Sequence, residues 1–375
     1  MKFLLIAGYP DSLLNFRGPL IDALLDAGLD VHVAAPDLPA GSEVRQKLES
    51  RGVSVHEVVL KRTGMNPITD FVTFYQLRRL MRRIRPDYMM GYTVKPVIYG
   101  SLAAWSVGVP RRFALITGLG YAFQAQSQSG RSYTPLLSLV RKLYELALAK
   151  THKVFFQNPD DETLFRSLGI LQRGRASTVL NGSGVDISMY TVTTLPETPH
   201  FLLIARLLGD KGVREYVYAA REVKAKQPTA VFSLVGWIDD NPDAVNQQEL
   251  DSWIEEGIVN YKGKLADVRP AINDCSVYVL PSYREGTPRT VLEAMAMGRP
   301  VITTDAPGCR ETVVHGDNGF LVPVKSVPEL VEAMLQLIER PELVRKMGAR
   351  SRQIAEQKYD VHKVNVHMLT EMGIR

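Results

Sequence analysis

The segment PSYREGTPRTVLEAMAMG, residues 281–298, sets two carboxylates, Glu285 and Glu293, eight positions apart around a proline. It follows an apolar run, Val277 to Leu280, that has the length of a buried strand, and it then takes on helical spacing. Pro288 suits the first helical position, where its missing N–H costs nothing, and Gly298 suits the helix end. The leading N–H groups, those of Arg289 and Thr290, then point back toward the strand ends, where the helix dipole favours an anion such as a phosphate. On the same side, Glu285 and Glu293 can accept hydrogen bonds from sugar hydroxyls. The run AMAMG after Glu293 predicts that this acid is enclosed. An enclosed carboxylate needs partners, which a ribose diol supplies. Taken alone, the pair also reads as one loop acid and one acid on a helix surface.

A second cluster weighs against that plainer reading. After the run Phe201 to Ala205, the sequence RLLGDKG at residues 206–212 puts Arg206 and Lys211 in a strand-to-helix loop. A diphosphate needs counter-charge as well as N–H donors, and a forked guanidinium with a mobile ammonium supplies it. Asp239 and Asp240 suggest a metal at first sight, but Asn241 and Pro242 follow, and the segment reads as a loop turn. No metal site is expected.

These residues need strands that end beside them. Short apolar runs alternate with helical patterns throughout, the signature of β-α-β units and a parallel sheet. The first half supplies Phe3 to Ala7, Val31 to Ala35, Val53 to Val58, Tyr88 to Met90, Phe113 to Ile116 and Val154 to Phe156. The second supplies Phe201 to Ala205, Val231 to Val235, Val259 to Tyr261, Val277 to Leu280 and Val301 to Thr303. Between the halves a polar stretch without apolar periodicity marks a linker. The expected organisation is therefore an α/β domain over residues 1–190, a linker over 191–200, a second α/β domain over 201–355 and a helical tail over 356–375. In such sheets ligands sit beyond the carboxyl ends of the strands.

With both clusters in view, the chain resembles glycosyltransferase family 4. The resemblance rests on ARLLGDKG at 205–212 paired with EGTPRTVLE at 285–293. GSGVD at 182–186, GCRETV at 308–313 and GDNGFLV at 316–322 support it. It implies the GT-B fold of two facing Rossmann-like domains, retention of anomeric configuration, and no metal bridging the donor diphosphate. It further implies that Arg206 and Lys211 bind the diphosphate, that Glu285 faces the transferred sugar and that Glu293 bonds the ribose hydroxyls. Gly286, Thr287, Arg289 and Thr290 complete the implied donor site, and Arg206, Lys211 and Glu285 are the implied catalytic set. The nucleotide sugar is a substrate, so no cofactor is expected; its base is uracil by family frequency, with guanine the alternative.

The first half departs from the broader family. Where many members carry two adjacent glycines after the first strand, this chain has LNFRGP at 14–19, with Arg17 and Gly18. Thr117, followed by Gly118, stands where a histidine is common. The runs TGLGY at 117–121 and YTVKP at 92–96, the latter carrying Lys95, resemble a subgroup that builds bacterial O-antigen, capsule or glycan intermediates on undecaprenyl diphosphate. Arg17, Gly18, Lys95, Thr117 and Gly118 are accordingly expected at an acceptor or sugar pocket.

Charge points the same way. Residues 1–190 hold 23 Lys and Arg against 15 Asp and Glu, a net of +8, and no acid lies between Asp87 and Glu145. That asymmetry fits an anionic partner, with Arg111 and Arg112 as headgroup contacts, and equally a solvated basic face. The run Pro135 to Ala149 has the spacing of an interfacial helix or of an ordinary core-facing one. The first apolar run is too short to span a bilayer and the two cysteines form no metal pattern, so the expectation is a cytoplasmic protein, peripheral at the inner face of the cell membrane. Nucleic acid is not an expected partner: the pI of about 9.0 has no aromatic-basic stripe or helix-turn-helix beside it. A nucleotide-sugar 2-epimerase and a non-catalytic nucleotide-binding module remain as alternatives.

Overall fold

The computed structural model describes residues 1–61, 66–118, 135–239 and 241–374. They form two compact units, Met1–Ser183 with His362–Arg375, and Gly184–Val361. Each contains one wholly parallel sheet.

The first sheet comprises β1 (Lys2–Ile6), β2 (Asp30–Ala35), β3 (Ser54–Glu57), β4 (Tyr88–Tyr92), β5 (Arg111–Ile116), β6 (Lys153–Phe156) and β7 (Ser177–Val179). Their order is β3-β2-β1-β4-β5-β6-β7. Both faces are covered in the middle of the sheet, which is why β1, β4, β5 and β6 read as apolar runs and not as alternations. Phe3, Leu5, Val31, Val33, Met90 and Leu115 pack on one face with Leu20, Ile21 and Leu24. On the other, Leu4, Ile6 and Met89 meet Leu77, Met81 and Ala103. The helix Pro135–Leu148 also faces the core, through Val140, Tyr144, Ala147 and Leu148.

The second sheet comprises β8 (His200–Ile204), β9 (Val231–Val235), β10 (Asn260–Tyr261), β11 (Val277–Leu280), β12 (Val301–Thr304) and β13 (Gly319–Val322), in the order β10-β9-β8-β11-β12-β13. Tyr216, Val217 and Met334 cover one face. Val291, Leu292 and Met295 cover the other. Two parallel-sheet Rossmann-like units with a helical C-terminal region are the GT-B architecture that the sequence suggested.

The unit boundaries differ from the expected ones. Residues 184–200 belong to the second unit because Val185 donates to the Tyr359 carbonyl (2.8 Å) and accepts from Val361 N–H (3.0 Å). The fully buried Arg299 guanidinium binds the Thr193 carbonyl at 2.9 Å. The tail is divided. The helix Val361–Met372 runs into the first unit, where Met368, Met372 and Ile374 join its core and Glu371 accepts from Lys153 and Thr178.

Candidate active site

In each sheet the strand order reverses between two neighbours, and loops leaving those two strands diverge to form a crevice. In the second sheet the neighbours are β8 and β11. Arg206 and Lys211 follow the first, and residues 281–288 follow the second. Two glycines let the loops close on each other. Gly212, at φ +68°, lies where a Cβ would fall 2.1 Å from the Pro281 carbonyl oxygen. At Gly308, φ +82°, a Cβ would fall 2.1 Å from the Glu285 carbonyl oxygen. Tyr283 N–H donates to the Asp210 carbonyl at 2.8 Å, and Ser282 Oγ lies 3.1 Å from the same oxygen.

The result is a direct contact between the two sequence clusters. Lys211 Nζ donates to Glu285 Oε1 at 2.6 Å, and Ser282 Oγ donates to the same oxygen at 2.9 Å. Burial alone would lower the Lys211 pKa, but the charges of Glu285 and Asp210 outweigh it and hold the ammonium above the ordinary lysine value. Burial raises the Asp210 pKa. Arg206 Nη1 donates to Asp239 Oδ2 at 2.9 Å, while Asp239 Oδ1 accepts from Asn241 N–H at 3.1 Å. Among the described residues no group of three or more His, Cys, Asp or Glu could hold a metal ion.

The helix after the loop spans Arg289–Ala296, and Pro288 sits one residue earlier than expected, at the N-cap with φ −72° and ψ 111°. Extended ψ at Pro288 explains the offset: the residue still supplies its carbonyl to Val291 and Leu292 but is not yet helical. Gly298, at φ +77°, ends the helix as expected. Thr290 Oγ1 accepts from Tyr278 Oη at 2.6 Å. Glu293 is enclosed, at 5% exposure. Its Oε1 accepts from Tyr190 Oη (2.9 Å) and from Arg289 Nε (2.8 Å). Burial raises its pKa, against the opposing pull of Arg289 and Tyr190. Gly286 and Thr287 lie in the same loop. The structure thus brings Lys211, Glu285, Gly286, Thr287, Arg289, Thr290 and Glu293 to the ends of two adjacent strands, with Arg206 after β8 in the same loop as Lys211. Asp239 and Tyr190 join them without a motif to announce them.

The first-unit residues are less of a group. The corresponding reversal lies between β1 and β4. Arg17 is buried with its guanidinium over the Tyr92 ring, 5.1 Å from the centroid, and Tyr92 Oη bonds Ser12 Oγ at 2.7 Å. Gly18 opens the next helix, Gly18–Asp26. Thr117 and Gly118 follow β5, half-buried, and the rest of TGLGY lies outside the described residues. Lys95 is paired inside the unit. It is buried, its Nζ donates to Asp70 Oδ1 at 2.7 Å, and Tyr99 Oη donates to Asp70 Oδ2 at 2.9 Å. Asp70 lies outside the acid-free stretch and neutralises a lysine within it.

Arg112 is likewise engaged within the unit. Its Nε donates to the Lys150 carbonyl at 2.6 Å and its Nη1 to the Val109 carbonyl. Arg141 binds the Leu168 carbonyl and Lys142 pairs with Glu145. Much of the basic stretch is therefore spent on the chain's own carbonyls and acids.

Comparison with known proteins places the chain in a family. The chain matches the family Glycosyl transferases group 1 over residues 198–340 and the family Glycosyl transferase 4-like over residues 9–158. It is 30% identical over 363 residues to the N,N'-diacetylbacillosaminyl-diphospho-undecaprenol alpha-1,3-N-acetylgalactosaminyltransferase of Campylobacter jejuni, covering 93% of this chain and 92% of that one. It is 24% identical over 288 residues to the UDP-Gal:alpha-D-GlcNAc-diphosphoundecaprenol alpha-1,3-galactosyltransferase of Escherichia coli, covering 72% and 71%. Its fold matches the crystal structure of Anabaena HepE in complex with UDP, at a TM-score of 0.76 and 20% identity over the whole of both chains.

Proposed function

Because this chain belongs to glycosyltransferase family 4 and has the GT-B fold, we propose that it moves an N-acetylhexosamine or hexose, with retention and without a metal, from a UDP-linked donor to a polyprenyl-diphosphate-linked saccharide. The observation that carries this reading is the convergence of Arg206, Lys211 and Glu285 with the start of the helix Arg289–Ala296, at the ends of β8 and β11. The bond from sugar C1 to the diphosphate oxygen breaks, and its electron pair leaves with UDP. An acceptor hydroxyl forms the new bond on the same face, and its proton passes to the departing diphosphate. Arg206, Lys211 and the helix N-terminus stabilise the charge that grows on that group. Glu285 orients the transferred sugar, and Glu293 holds the ribose hydroxyls.

The Campylobacter relative supports an amino sugar and a lipid-diphosphate acceptor, and the Escherichia coli relative and the UDP complex of Anabaena HepE support the uridine nucleotide. Bacterial surface glycan synthesis at the inner face of the cell membrane is the setting this gives. Among the described residues no helix is long and apolar enough to cross a membrane.

The test is to incubate the protein with UDP-GalNAc, UDP-GlcNAc or UDP-galactose and short-chain polyprenyl-diphosphate-linked saccharides, then to analyse the extracted lipid by mass and by anomeric proton coupling. Transfer with an α-linked product is expected. An epimerised nucleotide sugar, a β-linked product, or nucleotide binding without any product would each replace this reading.

A further inference from the structure

The helix Pro67–Ile84 leaves one face outside the fold. The Asn66 side chain caps it, accepting from Ile68 and Thr69 N–H at 3.0 and 3.3 Å. Its rotation is fixed from within: Thr73, Leu77, Leu80, Met81 and Ile84 are buried, and Asp70 is held by Lys95 and Tyr99. Thr73 Oγ1 adds a bond to the Val59 carbonyl at 2.6 Å.

What remains outside is ordered by sequence spacing. Ile68, Phe71 and Tyr75 are exposed by 78%, 68% and 54%, and Arg79, Arg82 and Arg83 are exposed beyond them. At 100° per residue, positions 68, 71, 75, 79 and 82 fall within an arc of about 80°, so one line along the helix runs from apolar to basic. The helix's one acid, Asp70, is buried, and the outward face carries none.

We propose that this face docks on an anionic lipid bilayer. Ile68 and Phe71 enter the acyl boundary, Tyr75 sits at headgroup depth, and Arg79, Arg82 and Arg83 bind phosphate headgroups. Three large side chains exposed in a row suit a surface that takes apolar groups without a shaped pocket, and the cations that continue the row select negative charge. Arg112, Arg141 and Lys142, which the charge count favours for this role, are turned to carbonyls and to Glu145. The inference rests on the lipid-linked acceptor proposed above for its purpose, though not for its chemistry.

The experiment measures co-sedimentation of the full chain with vesicles of phosphatidylglycerol and phosphatidylethanolamine, and with neutral phosphatidylcholine vesicles, in the absence of donor and acceptor. The parent is expected to bind the anionic vesicles, to release as salt rises and to ignore the neutral ones. Two triple variants, Ile68→Ser with Phe71→Ser and Tyr75→Ser, and Arg79→Glu with Arg82→Glu and Arg83→Glu, should each lower partitioning at least tenfold. Both should keep the parent's circular dichroism, UDP affinity and transfer to a water-soluble acceptor analogue. Equal sedimentation of parent and variants, or no binding by the parent, overturns the proposal. So does a dimeric parent that the serine variant makes monomeric while vesicle binding is unchanged, which makes the face a protein interface. Loss of transfer by the parent with vesicle binding intact would sink the proposed reaction and leave this face standing.

Discussion

Lys211 Nζ and Glu285 Oε1, from loops that follow neighbouring strands, are 2.6 Å apart, and both side chains are less than a fifth exposed. Removing one partner leaves the other charged and poorly hydrated, whereas removing both does not. Lys211→Ala and Glu285→Gln should each destabilise the protein, and the double variant should recover part of that loss in thermal unfolding. Turnover behaves differently. Each single change should lower kcat about 10²- to 10³-fold, because a charge-assisted contact to the transition state is lost, and the double variant should recover none of it. Near-normal turnover in either single variant would remove these residues from the reaction.

Positive charge at the proposed diphosphate site comes from Arg206, Lys211 and the helix that begins at Arg289. Sugar transfer should therefore persist in excess EDTA at close to its untreated rate. Complete loss, restored by magnesium or manganese, would contradict the metal-independent reading. A modest stimulation by added cation would not, since cations also draw off product diphosphate.

The fold was legible because a parallel sheet covered on both faces makes its central strands mostly apolar, and eleven short runs rich in such residues match β1–β6 and β8–β12. The edge strands β7 and β13 escaped: Ser177 and Thr178 break the apolar signal in one, and Gly319 opens the other inside a loop motif. At the site, Arg206, Lys211, Glu285 and Glu293 could be found because strand ends position them. Their partners could not. Asp239 lies 33 residues from Arg206, and Tyr190 lies 103 residues from Glu293, so only tertiary approach joins them. Counting charges failed for Arg112 for the same reason, since composition does not say whether a guanidinium faces water or a carbonyl.

In the first unit, His32 Nδ1 and His56 Nε2 are 2.9 Å apart, with the rings stacked. Burial and the nearby charges of His32, Arg83 and Arg45 depress the His56 pKa to about 4. Between that value and about 6.5 the unfolded chain binds a proton that the folded chain refuses. This contribution to stability is therefore complete above about pH 6.5 and is lost as pH falls toward 4. Denaturant unfolding across that window should show stability falling with acidification, and His56→Gln should flatten the fall. An equal slope in the variant would mean that other groups carry the linkage.

Tyr190 and Arg289 both donate to Glu293 Oε1, at 2.9 and 2.8 Å, which leaves Oε2 outside those two bonds. Burial has already raised the Glu293 pKa, and the hydroxyl of Tyr190 is one of the groups holding it down. On the proposed reading, Glu293 accepts from the ribose hydroxyls, so Tyr190 is a positioning residue that keeps the acceptor ionised and aimed. Tyr190→Phe should weaken UDP binding about 3- to 10-fold, the net worth of one ordinary hydrogen bond. It should leave the binding of 2′,3′-dideoxy-UDP unchanged, because that nucleotide has no hydroxyls for Glu293 to hold. As pH falls, protonation of Glu293 removes the acceptor, so the advantage of UDP over the dideoxy nucleotide should shrink. In Tyr190→Phe that loss should begin at higher pH, because the carboxylate has lost a group that favours its charge. Calorimetric titration of both nucleotides across the acidic range reads all three effects. If the substitution weakens both nucleotides equally at every pH, Tyr190 supports the loop and does not act through Glu293.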